Sequence, residues 1–153
     1  MTVSLREVAA DTVRAVCALE TTAEQKRFVA PNALSIAQAY FEPTASFRAI
    51  YAEETPVGFL MWRPSRQADG PSREAGSYYL WRFMIDARYQ RRGYGRSALV
   101  LLTDVLREKG VRQLWTSYAP GPEGPHGFYL SLGFEDTGEV VSHGERVMVL
   151  RLL

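Results

Sequence analysis

The sequence is poor in the residues that staple or metallate a small protein. It has one cysteine, Cys17, and two histidines, His126 and His143, among 153 residues. A lone cysteine excludes an intramolecular disulfide and a multi-cysteine metal site, and the two histidines make no ligand pattern, so no metal is expected. No apolar run approaches the roughly 20 residues of a membrane span. The first residues, Met1 to Glu7, lack the apolar core of a secretory signal. An excess of one charge is missing too: 18 Lys and Arg stand against 17 Asp and Glu, a net charge of +1. That balance argues against nucleic acid and against acidic membranes as partners. The reading is a cytoplasmic chain without metal.

What the chain does have is core-forming composition. Hydrophobic residues make up 46% and charged residues 23%, which is globular rather than disordered. Residues 1–153 read as a single domain able to bury a real core.

Val3 to Val8 alternates apolar and polar residues and predicts a short edge strand. Asp11 is placed to cap a helix carrying Val13, Val16, Cys17 and Leu19. Pro31-Asn32 marks a turn, and Ser35 is placed to cap a second short helix over Ile36 to Phe41. Phe47, Ala49 and Tyr51 alternate with polar or differently faced neighbours. A turn at Glu53 to Pro56 and an apolar strand at Val57 to Trp62 complete a hairpin. Arg63 to Gly76, rich in Pro, Gly, Ser and charge, reads as a mobile loop. Ser77 to Ile85 predicts a strand with apolar residues at both parities, hence covered on both faces. Tyr94, Ala98, Leu101, Leu102 and Val105 then recur at helical spacing, with a stop near Gly110. Leu114 to Tyr118 is a further strand. A Pro- and Gly-rich loop, a short helix through Phe128, Tyr129 and Leu132, and a hairpin turning at Gly144 finish the chain. A strand–helix–strand unit within a meandering sheet implies a mixed α/β fold.

The most informative run is Gln90-Arg91-Arg92-Gly93-Tyr94-Gly95-Arg96, between a buried strand and a long helix. Unpaired amides and partial positive charge gather at a helix start, two glycines permit close backbone approach, and three arginines add full charge. Together they suit a pyrophosphate. The dinucleotide-fold fingerprint Gly-x-Gly-x-x-Ala is matched formally by Gly93, Gly95 and Ala98. It is set aside because the motif sits mid-chain, and Ser117 and Tyr118 stand where a ribose-binding acid belongs. A kinase-type phosphate loop is excluded by the absence of Gly-Lys-Ser/Thr.

The stretch Leu80 to Leu99 resembles the central motif of the GCN5-related N-acetyltransferases (GNAT), whose loop reads Gln/Arg-x-x-Gly-x-Gly/Ala; Gln90, Gly93 and Gly95 match it. Downstream, Phe128-Tyr129-Leu130-Ser131-Leu132-Gly133-Phe134 is similar to the family's Phe-Tyr-x-x-x-Gly-Phe. Trp81 to Asp86, and the tail with Gly138-Glu139 and Gly144-Glu145-Arg146, look like the bacterial spermine/spermidine acetyltransferases of the family. The resemblance implies the GNAT fold: a mixed, mostly antiparallel sheet with a central splayed pair of parallel strands and flanking helices. It implies acetyl-CoA as co-substrate, its pantetheine arm along the backbone of Phe83, Met84 and Ile85. The pyrophosphate would lie on the turn that holds Gln90, Arg91, Arg92, Gly93, Tyr94, Gly95 and Arg96. It implies acetyl transfer to a primary amine, and Tyr129 as the acid that protonates the departing thiolate. A small-molecule amine, with a polyamine such as spermidine or spermine leading, is the expected acceptor, and Trp81, Glu139 and Glu145 are its expected contacts. An aminoglycoside or protein amine, or a non-catalytic acyl-CoA-binding sensor, are the alternatives. A homodimer stays open.

Two departures qualify the resemblance. Pro122 stands seven residues before Tyr129, where relatives often carry an asparagine that helps to hold the cofactor, so the following helix is expected to start late. Polyamine-acetylating relatives often place a carboxylate in the central strand, where this chain has Trp81 and Arg82; the general base is left unassigned. Glu20, Glu24, Glu42, Glu53 and Glu54 are secondary candidates for the acceptor side, His126 is a secondary candidate for the base, and Cys17 reads as core.

Overall fold

The computed structural model describes residues 2–152, and among them the alternating segments become seven strands of one sheet. These are β1 (Val3–Arg6), β2 (Ser46–Ala52), β3 (Thr55–Pro64), β4 (Tyr78–Ile85), β5 (Gln113–Tyr118), β6 (Glu135–Val141) and β7 (Glu145–Arg151). The helices are α1 (Val13–Cys17), α2 (Asn32–Tyr40), α3 (Tyr94–Glu108) and α4 (His126–Ser131). Strand order is β1-β2-β3-β4-β5-β7-β6. Every neighbouring pair is antiparallel except β4 and β5, which the α3 crossover makes parallel.

The sheet is covered on both faces. Tyr94, Ala98, Leu99, Leu102 and Leu106 of α3 bury one stripe against Ile50, Leu60, Leu80, Phe83 and Ile85. Val16 and Leu19 pack on the opposite face against Ala49, Phe59, Met61 and Met84, with Ile36 and Ala39 of α2 beside them. Both faces of β4 are therefore covered, as the double parity of its apolar residues predicts.

Several local expectations need correction. Asp11 does not cap α1; the N-cap is Thr12, whose hydroxyl accepts from the Ala9 amide at 2.9 Å. Ser35 lies inside α2, which starts three residues earlier behind Pro31 and buries Ser35 completely. Pro31, fixed near helical φ and needing no amide partner, opens the helix instead. Thr55 and Pro56 belong to β3, so the hairpin turns on Glu53 and Glu54 alone. Val105 is exposed, and Leu106 takes its expected place in the α3 stripe. The loop after β3 is tied down: Arg63 pairs with Asp69 through two bonds of 2.7 and 3.0 Å, both residues buried. Among the described residues, no helix is long and apolar enough to cross a membrane.

Candidate active site

The parallel pair that α3 creates does not stay paired. β4 and β5 are in register only at Tyr78 with Leu114 and Tyr79 with Trp115. Beyond Tyr79 the strands part, and the side of β4 that faces β5 presents backbone without a strand partner. Thr116 spans the start of the gap, its hydroxyl donating to the Leu80 carbonyl at 3.1 Å.

At the far end of β4 the chain turns into α3. Asp86 is buried and accepts from the amides of Glu20 at 3.0 Å and Arg88 at 2.9 Å and from the Arg88 side chain. Burial alone would raise this carboxyl; those hydrogen bonds outweigh it and hold it below its ordinary value. Gln90 donates to the Ile85 carbonyl at 2.9 Å and to Gln25 at 2.8 Å, tying the turn both to β4 and to the segment before α2. Arg91 and Gly93 both take left-handed backbone, φ 65° and 83°, which curves the turn around its own amides. The first bond within α3 runs from the Ser97 amide to the Gly93 carbonyl, so the Gly95 and Arg96 amides precede the helical ladder. A cavity of about 380 Å³ opens here, walled by Phe83, Met84 and Ile85, by Gln90, Arg91, Gly93, Tyr94, Gly95 and Arg96, and by Phe28 and Phe128 across from them. Cations, free amides and an open strand edge on one cavity suit the phosphates and the amide-bearing arm of coenzyme A. Of the expected turn residues, Arg92 alone does not line it; its guanidinium lies over the Tyr89 ring and donates to the Arg88 carbonyl.

α4 stands beside the gap, starting at His126 directly after Pro125. Its Phe128 ring meets Phe83 at 5.6 Å. Tyr129 is 7% exposed and lies among Phe128, Phe134 and Thr116. Burial pushes its phenol up to about 12, with Thr116 pulling the other way. The hydroxyl therefore keeps its proton throughout the neutral range and is available as a donor.

A second cavity, about 550 Å³, lies on the other side of Phe83 and Phe128 and takes in Tyr129, Thr116, Tyr79, Trp81, Arg82, Ser117 and Glu145. A β-bulge shapes it. Leu80 opposes Trp62 and Arg82 opposes Met61, so Trp81 is the extra residue, and the alternation of side chains is broken at this point. Tyr79 lies 2.7 Å from the Ser117 hydroxyl, which donates to Glu145 at 2.7 Å. Burial raises the Tyr79 phenol. Burial also lowers the Arg82 guanidinium, which remains cationic.

Trp81 and Glu145 thus share this second cavity with Tyr129, and Glu139 does not: its carboxylate is taken by Ser72. The secondary carboxylates lie elsewhere. Glu42 pairs with Arg66, Glu54 with Arg6, and Glu20 with Lys26, and none of Glu20, Glu24, Glu42, Glu53 or Glu54 lines either cavity. His126 stacks on Tyr118 and pairs with Asp136 at 2.9 Å, outside both cavities. Among the described residues, no group of three or more His, Cys, Asp or Glu could hold a metal ion. Sequence reasoning missed Thr116 and Gln25. Phe28 opens the partly apolar loop Phe28 to Asn32 between the early helices, a region the family resemblance sets over the acceptor.

Residues 13–134 match the model of the acetyltransferase (GNAT) family. The spermine/spermidine N(1)-acetyltransferase of Bacillus subtilis (strain 168) is 27% identical over 157 residues, covering 99% of this chain and all of the relative. A PaiA N-acetyltransferase from Thermoplasma acidophilum, solved with coenzyme A, superposes with a TM-score of 0.66 at 14% identity over 99% of both chains. An aminoglycoside acetyltransferase, also solved with coenzyme A, gives a TM-score of 0.77 at 15% identity over 98% of this chain and 95% of its own.

Proposed function

Because the chain belongs to the acetyltransferase (GNAT) family, we propose that it moves an acetyl group from acetyl-CoA to a primary amine of a small molecule. The observation that carries this reading is the unpaired edge of β4, with a cationic turn at one end and the buried Tyr129 near the other. The backbone of Phe83 to Ile85 would hold the amide-bearing arm as an added strand holds to a sheet edge. The Gly95 and Arg96 amides, with Arg91 and Arg96, would hold the phosphates.

Bound there, acetyl-CoA supplies a thioester carbonyl as acyl donor. A neutral amine in the second cavity attacks that carbon; a C–N bond forms, the C–S bond breaks, and the amine nitrogen gives up one proton. Tyr129 donates a proton to the departing sulfur and regains one from solvent. A phenol at about 12 is a weaker acid than an ordinary thiol near 8.5. The burial that raises the phenol raises the proton affinity of a thiolate beside it too, which narrows the gap.

A polyamine acceptor is supported by the Bacillus subtilis relative. Among the described residues that line the cavity, Glu145 is the only carboxylate for such a polycation, against Lys26, Arg27 and Arg82. The test is thiol release from acetyl-CoA with a panel of polyamines, aminoglycosides, peptides and simple amines. Amine-dependent release with acetylated product is expected. Tight acetyl-CoA binding without release for any amine would overturn the reading and make the protein an acyl-CoA sensor.

A further inference from the structure

We infer that the acceptor carries an anionic group in addition to its amine, and that Arg82 receives that group. The inference rests on the acetyl-transfer reading above and names its substrate class.

The ground is the charge lining the acceptor cavity. Three cations face it, Lys26, Arg27 and Arg82, and one carboxylate, Glu145. Lys26 is partly answered by Glu20 at 3.4 Å. Arg27 is exposed and lies over the Phe28 ring at 4.0 Å. At the rim, solvent screens both.

Arg82 is different. The bulge at Trp81 sets it in the cavity wall, half-buried. Its Nη1 donates to the Trp81 carbonyl at 3.1 Å and its Nη2 to the Gln38 side-chain oxygen at 2.8 Å; both partners are neutral. Its Nε is buried and has no partner among the described residues. A guanidinium stays charged, and one withdrawn from water ordinarily has a carboxylate beside it. Among the described residues no carboxylate comes within ion-pair distance of Arg82: Tyr79 and, from farther off, Glu145 pull on it, Glu145 accepts from Ser117, and Arg63, itself held by Asp69, repels it.

Held at two nitrogens and without a paired carboxylate among the described residues, the Arg82 fork is preorganised for an anion. Glu145 gives the same cavity one negative site for the ammonium form of the amine. The cavity is therefore bipolar with cation in excess. A zwitterionic amine meets opposite charge at both ends, whereas a polycation meets like charge at Arg82, which costs affinity.

The test compares kcat/KM at saturating acetyl-CoA for four acceptors of equal chain length: an aminoalkyl carboxylate, an aminoalkyl phosphate, an uncharged alkylamine and a diamine. At least one anionic acceptor should exceed the alkylamine by about 10–100-fold, the worth of a charged hydrogen bond, chiefly through KM. The leading arm identifies the anion, and the diamine should be poorest. In Arg82→Gln the anionic-to-alkylamine ratio should fall to within about three-fold of unity; Arg82→Lys, which keeps the charge but loses the fork, should fall between. The wild-type ratios decide the substrate class even if neither variant folds. A diamine or alkylamine used as well as both anionic acceptors would overturn the inference and leave acetyl transfer standing. An anionic preference that survives in Arg82→Gln would overturn the assignment to Arg82. Absence of turnover with every amine would overturn the acetyl-transfer reading and this inference with it.

Discussion

Tyr129 and Phe134 are joined twice: the Tyr129 carbonyl accepts the Phe134 amide at 3.1 Å, and their rings meet edge to face at 5.2 Å. Between them the Gly133 amide reaches the Leu130 carbonyl at 3.0 Å, and Gly133 takes φ 99°, a conformation that side chains resist. This is the Schellman closure of a helix, with its usual apolar contact across the end. The spacing Phe-Tyr-x-x-x-Gly-Phe is thus a mechanical device. It stops α4 and clamps the ring that carries the hydroxyl.

Tyr129→Phe keeps that clamp and removes only the hydroxyl. Turnover with the best acceptor should drop by roughly 10²–10⁴-fold, the range of general acid catalysis, while acetyl-CoA affinity changes little. Turnover within about three-fold of wild type would remove Tyr129 from the proton-transfer step.

The same variant should alter alkaline stability. The folded phenol titrates at about 12, the unfolded one near 10. Stability is full below pH 10. Above it the unfolded chain loses its proton first, so wild type should lose about 2 kcal/mol by pH 12 from this group. Denaturant melts at pH 9 and pH 11.5 should show a smaller loss in Tyr129→Phe than in wild type.

Thr116→Val preserves shape and deletes the hydroxyl that bridges the parting strands. The Leu80 carbonyl loses a partner in a buried setting, so stability should fall by about 1–3 kcal/mol in urea unfolding. No change would mean that the splay needs no bridge.

Gly93→Val tests the turn. Apart from its chain neighbours, no described residue comes within 4 Å of a side-chain carbon built there, so the obstacle is the backbone, at φ 83°. The substituted turn should lose its curvature around the amides. Wild type should gain several degrees in Tm with saturating acetyl-CoA and none with acetate, and the variant should lose most of that gain.

Asp86 sets an acid limit. Its folded carboxyl sits below its ordinary value, so on acidification the unfolded chain takes the proton first. The stability it confers is complete above about pH 4, the unfolded value, and drains away as pH falls through the folded one. Asp86→Asn should be less stable at pH 7 and lose less than wild type between pH 5 and pH 2.

The parts legible in the sequence were those written in consecutive residues. The basic glycine turn, the α3 stripe, the hairpin and the short aromatic helix each carry a local period or a breaker, and each appears near its expected place. What stayed hidden depends on pairing between distant segments. The bulge at Trp81 exists only relative to Met61 and Trp62 on β3. The parting of β4 from β5, a property of two strands at once, was expected only through the family resemblance and not from either strand's own residues. The link from Gln25 to Gln90 crosses 65 positions. Glu139 and Glu145 look alike in sequence, but the fold gives one to Ser72 and the other to the cavity.

Phe28 and Val29, in the segment between α1 and α2, wall both cavities, whereas Leu34, Trp81, Ser117 and Glu145 touch only the acceptor side. The two groups differ in what evolution can do with them. On the proposed assignment of the two cavities, trimming Phe28 to admit a bulkier amine would also loosen the grip on the nucleotide thioester, so each gain in breadth would be taxed by shorter cofactor residence. On that assignment, changes at Leu34 or Trp81 would escape the penalty and leave the cofactor side untouched.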